Sequence, residues 1–331
     1  MTYRPWGLLD WTLALATQQS WTFMGALGTE ERSLAAWRWL RQISRVSYCR
    51  LLEIHDLPSH HTPVAQQLLQ ERKREFLNSG GTVEAVGAPL DLLTELHRIT
   101  AVARNVEARA STSLILDITS LPKRFSFPLL RYLEKSKRVR NLVLTYTVPK
   151  KYIEDEPLSK NATDWLNLPG FQGEAGKQET LVVSVGFMVE SLQNHISTIN
   201  KRESVKVLIP FPAPVSALRR TWESIYHLES GRSREKFEHH RVASTDLPAA
   251  FDRIVSLARA SSCKLAFAPF GPKPISAAIC LFATRSNCSV YYPQPRIYNP
   301  RYSTGVGDIY GKSAVYAYWL KHNGKSLYSF P

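Results

Sequence analysis

Short unbroken apolar runs alternate along this chain with longer stretches whose apolar positions recur at helical spacing. Residues 21–27 (Trp-Thr-Phe-Met-Gly-Ala-Leu) read as a strand and residues 30–40 as the helix after it. Thr29 is placed to cap that helix, and Glu30 and Glu31 fall in its first turn, where the helix dipole favours carboxylates. The alternation continues with a strand over 48–54, a helix over 63–78 closed by Gly80-Gly81, a strand over 82–86 and a helix over 91–106. A strand over 113–116, a helix over 127–135 and a strand over 141–147 follow. Between 148 and 179 the pattern dissolves into Lys, Asn, Pro and Gly. It resumes as a strand over 180–186, a helix over 188–200, a strand over 205–210 and a helix over 215–228. The basic stretch 229–241 reads as a solvated loop or helix end, residues 248–260 as a helix, and 264–292 as a strand, small-residue helix and strand.

This rhythm predicts an α/β fold of two Rossmann-like lobes, each with a mainly parallel sheet and helices on both faces. The expected division is residues 1–150 for the first lobe, 151–179 for a linker or irregular insertion, and 180–331 for the second lobe, with a Pro/Tyr/Arg-rich loop over 291–307. The lobes match in layout without a residue-level repeat, and their strand ends are expected to face a shared cleft.

Composition narrows the chemistry. The 331 residues, 44% of them hydrophobic, suffice for a large core. No run of roughly 18 apolar residues occurs, so the expectation is a cytoplasmic protein without a membrane partner. Cys49, Cys263, Cys280 and Cys288 are scattered, which disfavours a disulfide framework or a zinc site, and no metal or cofactor is expected. The 42 Lys and Arg against 28 Asp and Glu leave a formal charge of +14. That excess points to a polyanionic partner: a nucleotide, nucleic acid, or an acidic protein subunit of an assembly.

Four groups of residues carry candidate chemistry. Asp117-Ile-Thr-Ser120 with Lys123 and Arg124 ends an apolar strand, where ligands bind in open α/β sheets; the alternative is that Asp117 or Ser120 caps the next element. In the turn from Gly25 to Ser33 the spacing is not that of a dinucleotide fingerprint, and Glu30 and Glu31 would repel an anion. Those acids suit helix capping, an ion pair with Arg32, a ribose hydroxyl, a base edge, or proton transfer. Gly271-Pro-Lys273-Pro, followed by Ser276, sets a cation at the positive end of a helix, which is favourable when a phosphate lies between them. Residues 291–302 interleave Tyr298 and Tyr302 with Arg296 and Arg301, a pattern suited to stacking on bases while pairing with phosphates, or to an arm packed on another surface. The pairs His60-His61 and His239-His240 lie in polar or charged segments and are expected in solvent.

At 113–133 and 264–283 the strand-turn-helix pattern resembles the CARF and SAVED ligand-sensing domains of prokaryotic antiviral systems. Those domains are Rossmann-like and bind cyclic oligonucleotides at strand ends, often through a small-Gly-x-Lys turn. The resemblance covers these two segments alone and implies Gly271 and Lys273 as ligand contacts, with Asp117 to Lys123 as their counterpart. The turn departs from the pattern in being bracketed by Pro272 and Pro274, and an effector nuclease domain is not expected. The expected function is a basic, non-catalytic component that binds a nucleotide or nucleic acid within a multi-protein assembly, in the setting of bacterial antiphage defence. Its expected contacts are Asp117, Ser120, Lys123, Arg124, Gly271, Lys273, Ser276, Tyr298, Arg301 and Tyr302. Two alternatives stand beside it. One is an N-glycosidase or hydrolase acting on nucleotides through Glu30, Glu31 or Asp117; the other is a scaffold docking an acidic protein.

Overall fold

The structure, a computed structural model, describes residues 3–14, 20–43, 46–55, 57–86, 92–109, 112–153, 159–174, 179–186, 202–212, 219, 221–223, 225–226 and 236–329. Its contacts divide into two units, one formed by residues 1–156 with 297–329 and the other by residues 157–296.

The first unit opens with β1 (Trp6–Leu8), the short α1 (Leu9–Ala14), β2 (Trp21–Leu27), a 3-10 turn over Glu31–Leu34, α2 (Ala35–Gln42) and β3 (Val46–Ile54). It continues with α3 (Thr62–Leu77), β4 (Thr82–Val86), α4 (Leu92–Arg109), β5 (Ser113–Asp117), α5 (Lys123–Lys135), β6 (Asn141–Thr147) and β7 (Pro149–Tyr152). Every residue of β2, β5 and β6 is buried, the pattern of strands covered on both faces. On one face Trp21, Phe23, Ile115 and Val143 meet Leu34, Trp37 and Leu40 of the 3-10 turn and α2, with Phe76 of α3.

The second unit contains β8 (Ser159–Gln172), β9 (Glu179–Ser184), β10 (Arg202–Phe211), β11 (Lys236–Ala243), α6 (Leu247–Ala260), β12 (Lys264–Pro269), α7 (Lys273–Ser286) and β13 (Ser289–Tyr298). Asp246 caps α6 by accepting the amide of Ala249 at 2.8 Å. Asn287 ends α7 in the left-handed region at φ 49°, a conformation asparagine tolerates better than most residues.

Beyond β13 the chain returns to the first unit. There β14 (Ser303–Val306) pairs antiparallel with β7, β15 (Asp308–Ile309) and β16 (Lys312–Ser313) form a small hairpin, and β17 (Val315–His322) lies antiparallel between β6 and β1. A last short strand, β18 (Lys325–Ser326), folds back on β17. The sequence assigned these C-terminal residues to the second lobe. Their real place follows from pairing: β17 supplies the antiparallel neighbour of β6 and carries Trp319, whose ring packs edge-on against Trp21 at 5.7 Å. Three further expectations are corrected. The linker at 151–179 holds the 14-residue β8; the solvated stretch 229–241 yields β11 from Lys236 onward; and the loop at 291–307 is largely β13 and β14. In each case backbone pairing with a neighbouring strand overrides polar composition. The helix expected at 188–200, and much of that at 215–228, lie outside the described residues.

One strand order recurs. In the first sheet the chain builds outward from β2 through β3 to β4, crosses back to β5 and builds on to β6, all in parallel. In the second it builds from β9 through β10 to β11, then crosses to β12 and β13, again in parallel. The fold is therefore α/β, with two doubly wound, mainly parallel sheets. Each reverses its direction of growth at one place, between β2 and β5 or between β9 and β12. In open α/β sheets the crevice beyond the carboxyl ends of those two strands is where ligands bind.

Candidate functional site: the carboxyl rims of the two sheets

At the rim of the first sheet the chain leaves β2 through Gly28. A Cβ there would overlap the hydroxyl of Ser120 and lie 2.6 Å from its Cβ, so the backbone passes where only glycine fits. The Ser120 hydroxyl is shielded from solvent and has no hydrogen-bond partner among the described residues. Thr29 does not cap a helix; its hydroxyl donates to the carbonyl of Pro300 at 2.9 Å. The expected helix over 30–40 is instead the 3-10 turn followed by α2.

Below this turn lies a polar plug. The buried Asp117 carboxylate accepts the amide and hydroxyl of Thr119 at 3.1 and 2.6 Å and the hydroxyl of Thr145 at 3.2 Å. Thr119 in turn accepts the amide of Thr147 at 2.9 Å. Buried Arg32 grips Glu30 in a two-pronged pair at 2.9 and 3.2 Å and donates to the carbonyl of Thr147 at 2.8 Å. Burial lowers the affinity of the Arg32 guanidinium for its proton, yet Glu30, Tyr146 and Tyr152 together outweigh it and leave the pKa raised. Ser303 also bonds to Glu30, which ties β14 to the rim. Desolvation drives the Tyr152 hydroxyl well above its usual range.

Against the expected contacts, Asp117 is turned inward as the anchor of its own turn. Arg124 is buried, its guanidinium 5.0 Å above the ring of Phe125. The cause is that α5 begins at Lys123, four residues earlier than the sequence pattern indicated, which carries Arg124 onto an inner face. Lys123 opens the helix half-buried, and desolvation pulls its amine down to about 7. Glu31 is exposed. Tyr302 is buried with its ring 5.2 Å from Tyr152, Tyr298 is half-buried, and Arg301 is exposed with its amide held by the Asn299 side chain at 2.9 Å.

The rim of the second sheet is built differently. Gly186 follows β9, and a Cβ there would lie 2.9 Å from the carbonyl carbon of Phe270, closer still to its oxygen. Gly271 faces it, with Ser184 and the carbonyl of Val185 about one atom away from where its own Cβ would stand, at 3.1 and 3.0 Å. The buried Ser184 hydroxyl accepts the Gly271 amide at 3.1 Å, and Ser276 donates to the Gly271 carbonyl at 3.3 Å. Ser276 is thus a brace for the turn. Lys273 is half-buried at the first position of the 14-residue α7. Beside the turn the Phe270 ring meets Trp165 at 5.2 Å and Tyr292 at 6.1 Å, all three partly accessible. Gly186 was legible as the glycine that stops an apolar run. Trp165 was not, because it stands in a stretch that reads as linker.

The rims share one local device. Pro122 and Pro272 precede α5 and α7 with nearly the same backbone, φ −60°, ψ 151° and φ −52°, ψ 149°, and each is followed by a lysine as the first helical residue. Of the histidine pairs, the rings of His60 and His61 lie 3.9 Å apart. His240 is on β11, 3.5 Å from Glu238, which pairs with Lys206 at 2.7 Å. Desolvation lowers the His240 pKa. Among the described residues no group of three or more potential metal ligands occurs, and no helix is long and apolar enough to cross a membrane.

These features define a class, a double α/β chain with a reversal point in each sheet. No protein-family model matches the sequence, and no curated protein matches it. Similar solved structures include a protein described as a universal stress protein from Pseudomonas aeruginosa UCBPP-PA14, at 13% identity over 85% of this chain and 95% of that one, with a TM-score of 0.25. An N-terminal ketoreductase from a macrolactin assembly line matches at 10% identity over 78% of this chain and 48% of its own, TM-score 0.21. A ketoreductase from the first module of phoslactomycin biosynthesis in Streptomyces sp. HK803 matches at 12% identity over 86% and 66%, TM-score 0.21. The fold assignment rests on the strand order itself.

Proposed function

We propose that this chain is a basic, non-catalytic component that binds a nucleotide at the carboxyl rim of its second sheet, as part of a multi-protein assembly of the kind used in bacterial antiphage defence. The observation that carries the reading is the reversal point between β9 and β12. Gly186 and Gly271 press two backbones together there, and Lys273 stands at the start of α7. A lysine at the positive end of a helix is disfavoured by the dipole alone and favoured when an anion bridges the two. The ring faces of Phe270, Trp165 and Tyr292 suit a base on the same ligand. At the first rim Lys123 holds the matching position, but there the polar side chains are engaged with one another, Glu30 with Arg32 and Asp117 with Thr119 and Thr145, so the second rim is the better site.

Catalysis through a carboxylate has weaker support. Glu30 is paired with Arg32, and Asp117 is buried and holds Thr119 and Thr145 through one carboxylate oxygen. A working acid or base must reach the substrate's proton.

Calorimetric titration with ATP, NAD and cyclic di- and trinucleotides tests the proposal. Lys273→Ala is expected to weaken the bound nucleotide roughly 10-fold to 100-fold, the worth of one charge-assisted hydrogen bond, without changing the melting temperature. Equal affinity in the variant, or no binding of any nucleotide by the parent protein, overturns it.

A further inference from the structure

One edge of the first sheet carries aromatic rings that its core does not consume. Trp6, on edge strand β1, stacks on Tyr316 at 6.0 Å and on Tyr318 at 5.9 Å. Trp11, on α1, has the Lys312 ammonium 5.4 Å from its ring, and that ammonium also pairs with Asp10. Tyr3, Trp6 and Trp11 are 79%, 37% and 53% exposed. Tyr310 is 87% exposed, in the hairpin that also carries Lys312.

Tyr310 is the informative residue. Ile309 pairs with Lys312, so Tyr310 and Gly311 alone make the turn, and both have positive φ, 54° and 73°. That is the geometry of a primed two-residue hairpin, whose first position is the natural place for Asn, Asp or Gly. A bulky residue there is strained, and a ring so far in solvent gains little packing to offset the strain. Strain retained at an exposed aromatic is a sign of binding.

We propose that Trp11, Tyr310 and Lys312 form a stacking surface for single-stranded nucleic acid. Tyrosine and tryptophan offer wide ring faces at low cost in side-chain entropy, every base has a matching face, and a lysine among the rings meets the backbone phosphates. The chain as a whole carries a charge of +14, which favours association with a polyanion, and a phosphate would replace Asp10 as the partner of Lys312. Peptide strand addition fits the edge poorly, because β1 is three residues long and follows Pro5. The surface belongs to the first unit and the rim of the second sheet to the second, and the proposal does not depend on the nucleotide reading.

The test is fluorescence anisotropy with a labelled 20-nucleotide oligo(dT), about 20 being long enough to span several bases per site. The parent protein is expected to bind with affinity that falls as salt rises. Tyr310→Asn relieves the turn, so the melting temperature should hold or rise while affinity drops roughly 5-fold to 100-fold; Trp11→Ala should weaken binding further. Mononucleotide binding should be unchanged in Tyr310→Asn. Flat anisotropy with the parent protein, including the case in which the surface serves another protein instead, overturns the proposal. So does undiminished oligonucleotide binding by Tyr310→Asn.

Discussion

The amine of Lys123 stands half-buried where α5 begins, and desolvation brings its pKa from 10.5 down to about 7. An unfolded chain holds that proton up to its ordinary pKa, so between about 7 and 10.5 the unfolded state binds more protons and stability rises with pH. Below about 7 both states are protonated and the full penalty is present. Lys123→Met should therefore stabilise the protein at neutral pH, by on the order of 2 kcal/mol once partial exposure is discounted. It should also flatten the rise in stability between neutral and alkaline pH. Urea unfolding of both proteins across that range measures it; parallel curves would show that the amine is solvated after all. A few residues away the opposite solution operates. Arg32 keeps its charge in a buried site because Glu30 and the carbonyl of Thr147 accept from it.

At the scale of elements, each reversal point depends on a glycine after the first central strand, but the obstruction differs. For Gly28 it is the side chain of Ser120; for Gly186 it is the carbonyl of Phe270, part of the backbone. Gly28→Ala and Gly186→Ala should each cost about 1–3 kcal/mol through overpacking. Adding Ser120→Gly to Gly28→Ala should recover most of that loss, since it removes the obstructing atoms. No second-site side-chain change should rescue Gly186→Ala, because a backbone carbonyl cannot be truncated. Chemical denaturation of the single and double variants decides between these outcomes, and failure of Ser120→Gly to rescue would mean that β2 shifts as a whole.

Over the whole molecule, residues 297–329 belong to the same unit as the N-terminal half of the chain. β17 is inserted between β6 and β1, so removing it bares the flank of β6, strips β1 of its partner and uncovers Trp21. A chain ending at residue 296 should lose the cooperative melting of the first unit and keep that of the second, whose strands β8 to β13 lie before the cut apart from the last residues of β13. Differential scanning calorimetry checks this. Survival of both transitions would show that β17 is an accessory to the sheet.

The alternation of buried strands and amphipathic helices was already written in the residue order, because β2, β5 and β6 are apolar on both faces and such runs have few other uses. Gly271 and Lys273 could be picked out for the same reason: a glycine and a lysine between an apolar run and a helix are local signals. Strands β8 and β11 and the second half of β13 escaped, since polar and proline-rich residues become strands only when a neighbour offers hydrogen bonds across a distance the local pattern does not carry. The same limit hid the return of β17 to the first sheet and the inward turn of Asp117 and Arg124. Local patterning sets which apolar segments are strands or helices, while long-range pairing makes strands of polar ones and, with the satisfaction of buried polar groups, chooses neighbours and directs each charged side chain inward or toward solvent.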